Sequence, residues 1–167
     1  IYCDNTAFGR NGPDSYRPGY DIVVQAVSGL LAADNKVENG VPQQVSATAV
    51  ADYSTGIAIA WSVCAALFAR ERSGKGQKID TTLLSTALSV QGSFMELDSY
   101  TKDTRHEFLD TLNALKQAEM PYEAMLEQQR ALAGPTTAFR IYYTTYKTLN
   151  GIIAIGCLSE HLRKKAA

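Results

Sequence analysis

The sequence predicts an α/β protein, and three observations carry that prediction. A strand-like opening, Ile1 to Phe8, runs into a loop dense in turn formers and then into a helix. A long apolar helix opening near Asp52 stops at Ser73-Gly74 and hands over to a second strand, Gly76 to Leu83. Further helix and a hairpin signal follow, so the element order reads as the end of one α/β domain and the start of another.

Each element has its own justification. Gly9 to Gly19 (GRNGPDSYRPG) contains three glycines and two prolines, a density that marks a loop at a strand edge, where α/β proteins place chemistry. Tyr20 to Leu31 reads as an amphipathic helix with Ile22, Val23, Ala26, Val27 and Leu30 on one face. Asp34 to Pro42 is a polar connector, and Gln44 to Ala51 an approach to the long helix. In that helix Ile57, Ala60, Trp61, Cys64, Leu67 and Phe68 recur at helical spacing, while Ile59, Val63, Ala65 and Ala66 fill the other positions. A helix apolar nearly all round is expected inside a larger body. Arg70 and Arg72 suit its negative end, and Gly74 its left-handed stop.

Leu83 to Tyr100 reads as a second apolar helix. Thr101 to Ala133 changes to Glu, Gln, Lys and Leu at helical spacing, a helical linker interrupted near Pro121, and Gly134-Pro135 breaks the chain again. Ile141 to Thr148 and Gly151 to Cys157 form a hairpin in which Asn150-Gly151 suits a type I′ turn. Ser159 caps a last helix over Glu160 to Lys165. The predicted units are 1–100, the linker 101–134 and a smaller unit 135–167.

Composition narrows the function. The chain has 167 residues, is 46% hydrophobic and carries a net charge of -1, enough apolar material for a core and no case for nucleic acid or an anionic membrane surface. The basic run Arg163-Lys164-Lys165 is a solvated helix end. Cys3, Cys64 and Cys157 are odd in number and lack metal spacing, which suits a reducing cytoplasm, with Cys64 and Cys157 as small core residues. His106 and His161 are far apart in charged helical stretches, so no metal site is expected. The apolar run Ile57 to Ala69 is too short to span a bilayer, and no signal peptide is visible. The first residue is Ile1, inside a strand, which predicts a piece of a longer protein.

Candidate chemistry concentrates at two helix starts. An aspartate at position 52 is most simply a cap, contributing about 1 kcal/mol. A carboxylate among unsatisfied N–H groups also suits an anionic or acyl ligand site. Gly19-Tyr20-Asp21 opens the preceding helix after a loop, so both groups can face one crevice, with a phenol and a second carboxylate available. No GxSxG and no placed Cys/His pair occurs. Gly74 and Gly76 form a helix-to-strand turn, lacking the spacing of a phosphate loop.

Taken together, IYCDNTAFGRNGP, RPGYDIVVQAVSGLL and ADYSTGIAIAWSVCAALFARERSGKGQKIDTTLL resemble the family III CoA-transferases, the group of formyl-CoA and carnitine CoA-transferases and α-methylacyl-CoA racemases. The likeness runs over residues 1 to about 100, and YKTLNGIIAIGCLSEHLRKK resembles the start of that family's smaller domain. It implies part of a Rossmann-like CoA-binding domain, a helical linker and the start of a smaller α+β domain. The family's catalytic aspartate falls on Asp52, and Gly19, Tyr20 and Asp21 fall on its segment beside bound CoA. The implied substrates are an acyl-CoA and a carboxylic acid, exchanged through an aspartyl-CoA intermediate in a cytoplasmic homodimer. The racemase branch resembles a two-base shuttle with histidine where Tyr20 stands. A phenol is a poor base at neutral pH, so transfer is favoured over racemisation or epimerisation. The glycine-rich substrate loop of formyl-CoA transferases is not visible, so oxalate is not implied as acceptor. The family's members are about twice this length, and the half with most of their CoA-binding residues has no counterpart here. A truncated, non-catalytic assembly module is the remaining alternative.

Overall fold

Two parallel strands hold the first half of the molecule together. The computed structural model describes residues 1–33, 36–91, 102–132 and 141–166. β1 (Tyr2–Thr6) pairs with β4 (Lys78–Thr82) in parallel, Cys3 opposite Ile79 and Asn5 opposite Thr81. Parallel strands require a crossover, here supplied by α1 (Asp21–Val27), α2 (Leu30–Ala33), the short strands β2 (Val37–Glu38) and β3 (Val41–Pro42), and α3 (Val50–Ser73). α4 (Leu83–Ser89) follows β4 directly, capped by the Thr82 hydroxyl, which accepts from the Ser85 N–H at 2.9 Å. The core is small: Val24, Ala51 and Ala87 meet where α1, α3 and α4 converge, with Phe8, Leu83 and Leu84 packed around them.

Downstream, α5 (Lys102–Gln117) and α6 (Tyr122–Leu132) form the expected helical pair, separated by a turn in which Glu119 takes a positive φ of 51° just before Pro121. β5 (Tyr143–Lys147) and β6 (Ile152–Gly156) make an antiparallel hairpin. α7 (Glu160–Ala166) starts at Ser159, whose Oγ accepts from the Leu162 N–H. Residues 92–100, into which the second apolar helix was expected to continue, and the Gly134-Pro135 break lie outside the described residues.

Four expectations need correction. The inward face of α1 is Asp21, Val24 and Gln25, whereas Ile22 and Val27 are about half exposed. Gly29, at φ 81°, ends that helix early and lets Leu30 and Leu31 turn inward on α2; two polar groups are drawn in because α3 needs them, as described below. The connector read over Asp34 to Pro42 contains an antiparallel pair, β2 with β3, around Asn39 (φ 51°) and Gly40 (φ 76°), the left-handed pair of a type I′ turn. In the second hairpin the tip is instead Leu149-Asn150, since Thr148 N–H donates to Gly151 C=O at 2.8 Å and neither Asn150 nor Gly151 has positive φ. Finally, Cys64 is exposed and Cys157 half-buried, so neither is a core residue.

α3 departs from expectation in its surroundings. It stops as predicted, with Gly74 at φ 71° donating to Arg70 C=O. Only Ala51, Thr55 and Ala66 are buried, while Ile57, Trp61 and Phe68 are 69%, 78% and 62% exposed. By length and composition alone the helix is long and apolar enough to cross a membrane, more than the run Ile57 to Ala69 suggested.

Candidate active site

The site is built where the first turn of α3 meets α1. Ala49, not Asp52, is the N-cap of α3, and its side chain can accept nothing. The orphan amides therefore need an acceptor from elsewhere. Asp21 supplies it: its Oδ1 accepts from Ala51 N–H at 2.7 Å and from Asp52 N–H at 3.3 Å. The other oxygen accepts from Gln25 Nε2, one turn further along α1. Gln25 is fully buried, and its Oε1 accepts from Val45 N–H at 3.3 Å. Thr55 closes the turn from inside α3, donating to Ala51 C=O at 2.7 Å.

A buried carboxylate at this place is stabilised by several N–H donors and by the positive end of α3. Because Asp21 takes the cap, Asp52 is released from it. Asp52 sits on the exposed side of the first turn, and among the described residues its carboxylate has no hydrogen bond or ion pair. Beside it run Tyr53, Gly56, Ile57 and Ala60, an apolar strip that continues along the helix through Trp61 and Cys64.

The other candidates are Gly19 and Tyr20, immediately before Asp21 in the chain. Gly19 is pressed against the end of β1: a Cβ there would lie 2.5 Å from Ala7 Cβ and 3.2 Å from the Phe8 ring. Only glycine lets the loop pass so close. Tyr20 is the N-cap of α1 and 78% exposed, its phenol open to solvent. Asp21 is buried with both oxygens engaged, so it reaches the surface only through what it holds. The geometry thus brings Asp21 to the Asp52 backbone and leaves Tyr20 exposed at the start of α1. Sequence reasoning missed Gln25 and Thr55. The signal for the first was present, since Asp21 and Gln25 stand four residues apart on one helical face.

A second concave region lies between α2 and the α5–α6 pair. This apolar cavity of about 380 Å³ is lined by Ala32, Leu112, Met125 and Leu126, with Lys116 and Tyr122 contributing polar groups. Burial pushes the Tyr122 phenol up, and its oxygen has no partner among the described residues. No cluster of His, Cys, Asp and Glu able to hold a metal occurs among the described residues.

Comparison with known proteins places the chain in a family. The chain is 30% identical over 128 residues to acetyl-CoA:oxalate CoA-transferase of Acetobacter aceti, covering 73% of this chain and 33% of that protein. It is 40% identical over 89 residues to human succinyl-CoA:glutarate CoA-transferase, covering 53% of this chain and 20% of the relative. Among solved structures, a CAIB/BAIF family protein from Brucella suis superposes with a TM-score of 0.57 at 27% identity, over 94% of this chain and 34% of that one. The chain therefore spans about a fifth to a third of the proteins it matches. Residues 1–167 match the model of CoA-transferase family III along their whole length, and the chain belongs to that family.

Proposed function

We propose that Asp52 is the nucleophile of a CoA-transferase that moves CoA from an acyl-CoA thioester to a carboxylic acid. The observation that supports this most directly is the unspent Asp52 carboxylate: the helix start is capped by Asp21, and Asp52 projects beside an apolar strip.

In this reading an Asp52 oxygen attacks the thioester carbonyl, the C–S bond breaks, and a mixed anhydride forms as CoA leaves as the thiolate. The thiolate then attacks the aspartyl carbonyl, releasing the donor acid as a carboxylate and leaving CoA on Asp52 as a thioester. The acceptor carboxylate attacks that thioester to give a second anhydride, again with free thiolate. Attack of the thiolate on the acceptor's carbonyl forms the new acyl-CoA and restores Asp52. Charge balances at every step without net proton transfer. Gly19 and Tyr20 line the thioester end, and Asp21 supports it from beneath. Tyr20, a phenol rather than an imidazole, favours transfer over racemisation.

The names of the two relatives pair acetyl-CoA with oxalate and succinyl-CoA with glutarate, which makes a dicarboxylate the acceptor class to test first. Because the chain spans a minor part of those relatives, the rest of the CoA site belongs to polypeptide that covers α3, in a cytoplasmic homodimer. The test is intact-mass analysis of the full-length protein after incubation with acetyl-CoA or succinyl-CoA and a borohydride or hydroxylamine quench. A modification mapped to Asp52 and lost in Asp52→Ala is the expected result. Exchange at wild-type rate by Asp52→Ala overturns the assignment.

A further inference from the structure

We infer that Asp21 is a positioning residue: its carboxylate fixes the backbone from which the Asp52 side chain projects, and does not itself touch CoA. The inference rests on the assignment of Asp52 as nucleophile.

Three observations meet here. The Asp21 Oδ1 binds the amides of Ala51 and Asp52, at 2.7 and 3.3 Å, so the backbone of the reacting residue is itself a partner. The second oxygen is held by Gln25, which is fully buried and tied to Val45 through its own carbonyl oxygen. Thr55 and Ala51, the inward neighbours on α3, are buried and hydrogen-bonded to one another. The result is a relay from the 45–51 approach segment, through Gln25 and Asp21, to the Asp52 amide. Its members have little freedom to turn, because every one is packed or bonded on both sides.

The same geometry has a consequence for how charge is stabilised during the reaction. The amides of Ala51 and Asp52 are already used by Asp21, so they do not serve as donors to an oxyanion formed on the substrate. The donors for that charge are groups other than these two amides.

The polarity of the relay can be reversed, which gives a clean test. Asp21→Asn keeps an oxygen for the Ala51 amide but turns an N–H₂ toward the Gln25 N–H₂, two donors face to face. Adding Gln25→Glu restores an acceptor there, and the second glutamate oxygen can still accept from Val45. Two quantities are measured on the full-length protein, amide hydrogen exchange at Ala51 and Asp52, and steady-state exchange with acetyl-CoA as donor. In Asp21→Asn both amides exchange faster, and kcat falls about 100-fold, the scale that a misplacement of about 1 Å produces. KM for acetyl-CoA stays unchanged, because uniform binding is untouched. The double variant recovers both protection and kcat. A raised KM with unchanged kcat means that Asp21 contacts the substrate, and overturns the inference, as does unchanged amide exchange in Asp21→Asn. The exchange measurement reads the cap whatever Asp52 does, so failure of the nucleophile assignment shows separately, as persistence of activity in Asp52→Ala.

Discussion

Asp21 and Asp52 carry the same functional group and have opposite fates, decided by where each meets the α3 N-terminus. The Asp21 carboxylate is buried and bonded through both oxygens, whereas the Asp52 carboxylate is exposed and without a bond among the described residues, so their replacement has different signatures. Asp21→Ala strips the acceptor from two amides and should lower stability by about 1 to 3 kcal/mol, read as a lower thermal midpoint. Asp52→Ala should leave the midpoint nearly unchanged while removing exchange activity. Tyr20→Phe, which deletes one exposed hydroxyl, should weaken exchange only modestly in the same assay. Asp4 offers a pH-dependent case. The Arg10 guanidinium, bonded to it at 2.8 and 3.0 Å, holds its carboxyl below the ordinary value of 3.8, with Lys78 of the neighbouring strand adding to the effect. A depressed folded value contributes stability above the unfolded value, and that contribution disappears as pH falls through the folded one. The difference in thermal midpoint between wild type and Asp4→Asn should accordingly shrink as the pH drops below 3.8.

At the level of elements, what was legible in the sequence followed backbone chemistry, and what was not followed tertiary demand. The stop of α3 was readable because Gly74 alone can take φ 71° without strain. The break before Pro121 and the cap at Ser159 were readable for similar reasons. The inward face of α1 was not, since hydrophobic periodicity pointed to Ile22 and Val27 while an uncapped neighbouring helix pulled in Asp21 and Gln25. The start of α3 was misplaced for the same reason: its cap comes from another helix, and local sequence cannot reveal an acceptor 30 residues away. The Asn39-Gly40 turn was visible in principle, but two-residue strands offer too little alternation to notice. Among the candidate residues, Asp52 and Tyr20 are singled out by the resemblance, whereas Gln25 becomes meaningful only once α1 and α3 are seen together. Packing at Gly19 yields an element-scale prediction. Gly19→Ala puts a methyl 2.5 Å from the Ala7 side chain, and should cost about 1 to 3 kcal/mol by overpacking. A chemical denaturation curve gives the value.

The whole molecule has more surface than its mass needs. It exposes 12386 Å², against about 8,100 Å² for a compact monomer of 18.2 kDa. Much of the excess is apolar, including Ile57, Trp61 and Phe68 on α3, and contiguous apolar surface of this kind drives association. The 167-residue chain on its own should therefore self-associate, and Trp61→Lys with Phe68→Lys should shift it toward monomer in sedimentation velocity. A monomeric wild-type chain would speak against burial of this face by other polypeptide.

The pairing of β1 with β4 also bears on the order in which the chain is expected to acquire its structure. Partners such as Asn5 and Thr81 are 76 residues apart, so a long loop must close before the first of these contacts forms, and that entropy is spent in advance. The β5–β6 ladder, whose arms lie next to each other in sequence, needs no such closure and forms on the scale of about 1 to 10 µs. The Asp52 end of α3 is tied to Asp21 across a shorter gap of 30 to 31 residues. By the same loop-closure argument the contact of α1 with the start of α3 should form after the β5–β6 ladder and before the β1–β4 pair.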